Sequence, residues 1–232
     1  MAEQHERWPL AVDNGEKVRL APGGGAASER AGRLVEPGSQ DASKRWMPAA
    51  GRVIDNPISG ERIVIRESGA QTGGQWLSFD LFLPPGAHVP ARHVHPVQEE
   101  RFTVVAGRMR FLLGRRTILA NRGDTILVPP GKAHWFGNAG AGVAHARVEV
   151  RPALRMEELF EAAAAMGQAE PFPGARLPRL SDLALFLIEF QRELAVPDVP
   201  AFLVRALLAP LAWLGRRRGR RSAVGRSPGS AT

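Results

Sequence analysis

The chain has 232 residues, 44% hydrophobic and 23% charged, a composition typical of a soluble globular protein. It contains no cysteine, which excludes disulfides, thiolate metal sites and cysteine nucleophiles, so histidine and carboxylate remain as the strong metal ligands. The formal charge of +8 is concentrated at the C-terminus, where residues 216–232 hold six arginines and no acidic residue, leaving +2 for the other 215 residues. We therefore expect a nearly neutral body with no specific nucleic-acid partner.

The N-terminal part of the chain offers little to pack. Met1–Leu10 is polar and has no apolar signal region, so we expect a cytoplasmic protein. Between Ala21 and Arg45 the only large aliphatic residues are Leu34 and Val35, too few to offset the entropy of ordering the segment. Residues 1–46 are therefore predicted to be a disordered extension.

From about Val53 the sequence changes to short apolar runs separated by glycine and proline. In Gln75–Leu83 the residues Leu77, Phe79, Leu81 and Leu83 alternate with others, the period of a half-buried strand. The predicted strands are 61–66, 75–83, 89–95, 100–105, 109–113, 117–119, 124–128, 134–138 and 143–151. Many short strands with such turns predict an all-β sandwich or barrel, here over residues 47–155.

After Pro152 the apolar period becomes helical. A helix is predicted over Met156–Met166, and a linker follows at Pro171, Pro173 and Pro178. Ser181 and Asp182 are predicted to cap a second helix that runs to about Leu194. A third helix should start near residues 198–200, kink at Pro210 and end at Gly215. Residues 156–215 thus form a predicted helical extension, and residues 216–232 a disordered basic tail.

The third helix carries a leucine-rich stripe. Its members at helical spacing are Leu203, Val204, Leu207, Leu208, Leu211 and Leu214. The stripe next to the arginines has the layout of an interfacial membrane anchor, yet an aliphatic stripe is costly to expose, and only Arg205 lies along the polar face. We therefore expect the stripe to pack on the second helix or on a second subunit. This predicts a homodimer without stable membrane association.

Four residues between 86 and 138 have the types and spacing of a metal site. His93 and His95 are two apart, so on a strand their imidazoles leave the same face, and inside a barrel they would otherwise be unpaired polar groups. Glu100 follows after a short turn and supplies an anionic oxygen. His134 follows the turn 129–131, which returns the chain toward the same cavity. One divalent transition metal ion would satisfy all four side chains.

The same residues carry a resemblance to the cupin superfamily, in particular to small bacterial single-domain cupins of the quercetin-dioxygenase type. Their first motif is matched by Gly86, His93-Val94-His95, Glu100 and Gly107, with one residue more than usual between the glycine and the first histidine. Their second motif, Gly-x5-Pro-x-Gly-x2-His-x3-Asn, is matched at each defined position from Gly123 to Asn138. The resemblance implies a double-stranded β-helix, or jelly-roll barrel, in which His93, His95, Glu100 and His134 bind the metal.

Two further assignments rest on strand parity. Glu100 shares the inward face with Phe102 and Val104, so we assign Glu100 as the ligand and Glu99 as its solvated neighbour. His88 and His145 are expected at the surface or the rim. The residues predicted to line a substrate pocket are Phe79, Gln98, Phe102, Met109, Phe136 and Asn138.

Three functions are compatible with a metal that keeps open coordination positions. The resemblance favours a metal-dependent dioxygenase that acts on an aromatic or polyketide-like small molecule. The alternatives are a non-redox lyase or isomerase, in which the metal is a Lewis acid, and a small-molecule-binding or sensory protein without turnover. Imidazole and carboxylate ligands accept Mn, Fe, Co, Ni, Cu or Zn, so the ligand types do not select one metal.

Overall fold

The computed structural model describes residues 51–168 and 179–217. The described residues form nine strands followed by three helices. The strands are β1 (Val53–Asp55), β2 (Arg62–Glu67), β3 (Leu77–Leu83), β4 (Glu99–Ala106), β5 (Arg108–Leu113), β6 (Arg116–Asn121), β7 (Thr125–Val128), β8 (His134–Asn138) and β9 (Ala144–Arg151). The helices are α1 (Met156–Gln168), α2 (Leu180–Glu189) and α3 (Ala201–Arg217).

The strands form two antiparallel sheets. The larger sheet has the order β1-β2-β3-β9-β4-β7, and the smaller one has the order β6-β5-β8. β9, the last strand in the chain, lies between β3 and β4 in the larger sheet. This arrangement is a jelly-roll β-sandwich with a C-terminal helical part, which confirms the predicted all-β class. The ladder bonds of the described strands leave the two sheets separate and do not join them into one closed barrel.

Alternating side chains of the larger sheet face the core. In β4 the buried residues are Glu100, Phe102 and Val104, and in β9 their neighbours Val148 and Val150 are also buried. Phe79 of β3 pairs with Val148 and meets the ring of Phe160 edge-on, with ring centroids 5.1 Å apart. Because Phe160 belongs to α1, this helix packs against the core beside Phe79.

The predicted strand over residues 89–95 is wrong as a continuous strand. Residues 87–95, which we call the ligand segment, run antiparallel to β8 but are interrupted between Val89 and His93. Val89 donates its backbone N–H to Phe136, and His93 exchanges two backbone hydrogen bonds with His134. The ligand segment therefore has two more residues than its partner between these contacts. Pro90, which has no N–H to donate, lies in this interruption.

The other predicted strands are confirmed with shifts of one or two residues at their ends, and β1 adds a short strand at the start. α2 begins after Arg179 without a side-chain cap, so the predicted Ser181 cap is wrong, and α2 ends at Glu189 rather than near Leu194. α3 continues through Gly215 to Arg217. The extension over 1–46, the proline linker and the tail beyond Arg217 lie outside the described residues. Among the described helices, none combines the length and apolar character needed to cross a membrane.

The leucine-rich stripe of α3 is only partly covered. Leu208 and Leu211 pack with Ala212 against Ala184 and Leu185 of α2. Leu203, Leu207 and Leu214, which were expected to be buried with them, are exposed by 42%, 72% and 37%. The difference arises because the contact with α2 is centred on the small residues Ala212 and Gly215, about a quarter turn from the predicted stripe.

Candidate metal centre

Three parts of the fold bring the predicted ligands together. His93 and His95 lie on the ligand segment, Glu100 is the second residue of β4, and His134 is the first residue of β8. The three imidazoles form a group whose potential ligand atoms all lie within 4.8 Å of one another. His95 and His134 are buried, whereas His93 is half-buried. Of the three histidines, His93 is therefore the one that is partly accessible to solvent.

The orientation of each imidazole is set by a backbone carbonyl. Nδ1 of His93 lies 3.0 Å from the carbonyl oxygen of Ala91, and Nδ1 of His134 lies 3.1 Å from that of Lys132. Nδ1 of His95 contacts the carbonyl oxygen of Glu193. A carbonyl oxygen accepts but does not donate, so each Nδ1 carries a proton, and the neutral form of each ring has the lone pair of Nε2 available for a metal.

Glu100 lies beside two of these nitrogens. Its carboxylate oxygens are 3.4 Å from Nε2 of His95 and 2.9 Å from Nε2 of His134. Within the described chain, neither Nε2 has a hydrogen-bond partner with suitable geometry, and Oε2 of Glu100 also has none. The rings and the carboxylate therefore place electron pairs close together in a buried space, where a cation would satisfy them.

The pKa values follow from the same contacts. Burial and, after it, the neighbouring His134 and His95 together lower the pKa of His93 to about 3. Burial acts to lower the pKa of His95, but the carboxylate of Glu100 outweighs it and raises the pKa. Burial acts to raise the pKa of Glu100, and the contacts with His95 and His134 reverse this and hold its pKa well below the usual value. Glu100 is thus an anion at neutral pH.

The glycines of the two sequence motifs hold turns around the site. Gly86, Gly107, Gly123 and Gly131 all have positive φ angles, between 74° and 92°. At Gly107, which separates β4 from β5, a Cβ would lie 2.8 Å from Cα of Ala144. Only glycine combines this backbone conformation with such a close approach of β9. The motif glycines therefore shape the turns that carry the ligand-bearing strands.

A contribution that the sequence did not predict comes from the C-terminal part. The segment Phe190–Ala195, which we call the cap segment, follows α2 and lies against the site. Its Glu193 carbonyl contacts His95, and its Ala195 exchanges two backbone hydrogen bonds with Val94. Phe190 is 1% exposed and belongs to the main core. The C-terminal part thus orients one of the candidate ligands.

The six residues predicted to line a pocket have different surroundings. Phe79, Phe102 and Met109 are no more than 3% exposed and are packed in the core. Phe136 is 6% exposed, its ring centroid lies 4.9 Å from that of Phe102, and it lies nearly parallel to His134 with centroids 6.5 Å apart. Aromatic side chains therefore form the wall beside His134.

The two amides among these six residues bind the backbone. Asn138 donates both amide hydrogens, to the carbonyl oxygens of Leu83 and Gly142. Gln98 is buried and donates to the carbonyl oxygens of Pro152 and Ala153. These contacts give both amides a role in holding loops. Their role toward a substrate stays a prediction.

The remaining histidines of the described chain do not join the group. His145 lies on the outer face of the larger sheet, where it stacks on Phe82 and its Nε2 is 3.1 Å from Oδ1 of Asp80. Asp80 also binds Arg66 and Arg147. His88 lies beside Trp135, with ring centroids 5.5 Å apart. His88 and His145 thus lie apart from the group of His93, His95 and His134.

A jelly-roll sandwich with three converging histidines and a carboxylate is the arrangement that the motifs predicted. Residues 80–150 match the family model of the Cupin domain. This range contains the four candidate ligands, the strands β4 to β8 and most of β3 and β9. The β-sandwich of this chain is thus similar to the Cupin domain. No curated relative matches the chain.

Solved structures with similar folds include several cupins. One is a sugar phosphate isomerase from a cupin superfamily of Silicibacter pomeroyi, with 24% identity over 41% of this chain and 61% of that one, at a TM-score of 0.37. The match thus spans about three fifths of that protein. A "predicted oxalate decarboxylase" from Thermotoga maritima has 19% identity over 44% of this chain and 91% of that one, at 0.39. The Cnp3 cupin domain of Schizosaccharomyces pombe has 12% identity over 42% of this chain and 69% of that one, at a TM-score of 0.37.

Proposed function

We propose that this protein is a cupin that binds one divalent transition metal ion through His93, His95, His134 and Glu100. The observation that carries the proposal is the set of buried Nε2 and carboxylate oxygen atoms that face one another without hydrogen-bond partners. Three neutral imidazoles and one carboxylate suit Mn, Fe, Co, Ni, Cu and Zn alike.

We further propose that the bound metal serves a dioxygenase reaction on an aromatic or polyketide-like small molecule. Such an ion supplies open coordination positions and a means to combine a substrate oxygen with O2. The chain's own residues hold the imidazoles in a fixed tautomer, keep Glu100 ionised and place the ring of Phe136, which packs on Phe102, beside His134. These apolar walls suit a flat, uncharged substrate.

The charge of the core supports this substrate class over phosphorylated sugars. Among the buried residues of the described chain there is no lysine or arginine, and the buried acidic residues are Asp80, Glu100 and Glu193. A phosphate group is bound in most sites by cationic side chains or by clusters of backbone N–H groups. An uncharged substrate needs neither.

The metal proposal is tested by elemental analysis of the purified full-length protein. We expect about one transition metal ion per chain, and we expect His134→Ala to lower this content at least tenfold, because His134 is a direct ligand. His145→Ala is the matched control, since His145 lies on the opposite face of the sheet and should leave the metal content unchanged. Full occupancy in a His93→Ala/His134→Ala double variant would overturn the assignment.

The reaction is tested with an oxygen electrode and flavonol-like or dihydroxyaromatic compounds. We expect oxygen uptake that stops on chelation, returns when a redox-active metal is added, and is absent in His134→Ala. Turnover that persists without oxygen in the zinc-loaded protein would show a lyase or isomerase. Tight binding of a compound without chemical change under both conditions would show a sensory protein.

A further inference from the structure

The outward surface of α3 is apolar and uncovered. Its large side chains, which we call the outer α3 face, are Phe202, Leu203, Leu207, Trp213 and Leu214. Their exposed fractions are 69%, 42%, 72%, 50% and 37%. The opposite side of α3 packs on α2 through Leu208, Leu211 and Ala212. A single protein chain rarely leaves so many large apolar side chains together on one helix, so this surface calls for a partner.

The outer α3 face is continuous along the helix. At 3.6 residues per turn its five members fall within a sector of about 140°, and the small residues Ala206 and Pro210 lie in the same sector. No charged residue of α3 before Arg216 lies in that sector. Arg205 projects from the other side of the helix, and α3 contains no acidic residue. The surface thus has the form of an amphipathic helix that presents its apolar side outward.

Positive charge accompanies this surface. Arg216 and Arg217 are exposed in the last turn of α3, and the guanidinium of Arg217 lies 4.0 Å from the centroid of the Trp213 ring. In the sequence, residues 199–232 contain seven arginines and no acidic residue, so the remaining 198 residues have a formal charge of only +1. In the sequence, nearly all of the net charge of the protein therefore lies in α3 and the residues that follow it.

We propose that the outer α3 face docks on the surface of an anionic lipid bilayer. The helix would lie in the plane of the interface with Phe202, Leu207 and Trp213 among the upper acyl chains. Arg216 and Arg217 would meet the lipid phosphates. An aromatic residue beside arginines fits this boundary, because one part of the surface is apolar and the other is wet and negative.

Charge favours a lipid surface over a second copy of the chain. Two copies joined through this face would each bring seven arginines and no acidic residue from the same segment, so like charges would be added to one assembly. An anionic bilayer has the complementary charge. The sequence alone predicted that the stripe would be buried and that no stable membrane association would occur. The exposure of Leu203, Leu207 and Leu214 removes the basis of that expectation.

The proposal is tested by co-sedimentation of the full-length protein with vesicles at physiological salt. The vesicles contain either phosphatidylcholine alone or equal parts of phosphatidylcholine and phosphatidylglycerol. We expect binding to the mixed vesicles, little binding to phosphatidylcholine alone, and a decrease as the salt concentration rises. Arg216→Gln/Arg217→Gln should weaken binding about thirty-fold, which corresponds to about 1 kcal/mol for each arginine.

A second pair of variants separates the apolar contribution from folding. Phe202→Glu/Leu207→Glu changes two exposed residues and should abolish vesicle binding while the far-UV circular dichroism stays unchanged. Leu119→Glu is the matched control, because Leu119 is 52% exposed on β6 and should leave vesicle binding as it is. If the Phe202→Glu/Leu207→Glu variant does not fold, the Arg216→Gln/Arg217→Gln variant and the salt dependence of vesicle binding test the proposal.

Two results would overturn the proposal. The first is equal or absent binding to the two kinds of vesicle. The second is a dimer, measured by light scattering, that the glutamate pair dissociates while vesicle binding is absent from the wild type. That second result would assign the outer α3 face to a second copy of the chain.

Discussion

Replacing Phe190 with alanine tests whether the cap segment orients the metal ligands. Phe190 is buried in the main core, its ring centroid is 5.2 Å from that of Phe186, and the guanidinium of Arg155 lies 5.1 Å from its ring centroid. Phe190 fixes the start of the segment whose Glu193 carbonyl accepts the hydrogen bond from His95. The substitution removes the anchor without touching a ligand.

Two effects of different size are expected. Truncation of a buried phenylalanine to alanine costs about 3–5 kcal/mol of unfolding free energy, from the lost burial and the cavity that remains. Loss of a group that orients a metal-bound histidine lowers metal affinity about 10–100-fold. We therefore expect Phe190→Ala to unfold at a clearly lower denaturant concentration and to bind metal at least tenfold more weakly, which is about 1.4 kcal/mol.

Urea unfolding of the metal-free protein measures the first effect, and competition with a chromophoric chelator measures the second. Ile63→Ala is the control, because Ile63 is a 2% exposed core residue of β2, a strand that pairs with β1 and β3, and its truncation has a similar stability cost. If both variants lose stability and keep the same metal affinity, the cap segment does not position His95 and the reasoning fails.

Three further predictions concern the fold. A non-glycine residue in the left-handed conformation costs about 1–2 kcal/mol, and Gly107→Ala should lower the unfolding free energy by more than this, because its Cβ would meet the backbone of Ala144. Gly123→Ala has free space around its Cβ, so chemical denaturation should show the conformational cost alone. Burial acts to raise the pKa of Asp80, but His145 and Arg66 outweigh it and lower the pKa from 3.8 to about 2. The ionised Asp80 should therefore add about 2 kcal/mol to the unfolding free energy above pH 4, and this contribution should disappear as the pH falls to about 2. Asp80→Asn should remove this part of the pH dependence, and an unchanged urea midpoint profile would contradict it. Removal of residues 1–46 should leave the thermal midpoint within a few degrees, because residues 21–45 contain only two large aliphatic side chains; a larger drop in calorimetry would show that the segment is docked.

The strands and the candidate ligands were predictable because both depend on local spacing. Alternation placed Glu100, Phe102 and Val104 on the buried face of β4, and the motif spacing placed His134 at the start of β8. The interruption of the ligand segment was not predictable, because an alternating sequence pattern does not show where two extra residues fall outside the backbone hydrogen bonds between neighbouring segments.

The contributions of the C-terminal part were missed for a different reason. The contact between His95 and Glu193 joins residues 98 apart in the sequence, and it uses a main-chain carbonyl that any residue type provides. The sequence therefore contains no side-chain signal for it. The face of α3 that packs on α2 is likewise set by the small residues Ala212 and Gly215, whereas the prediction followed the large leucines.

The positions of His134 and Glu100 have a mechanical consequence. His134 begins a strand of the smaller sheet, and Glu100 lies in the larger one, so an ion held by both would tie the two layers of the sandwich together. A ligand that binds only the folded chain adds about 2.7 kcal/mol of stability at about a hundred times its Kd. The thermal midpoint of this protein should therefore rise with free metal concentration, so the melting temperature would report metal loading in the absence of any substrate.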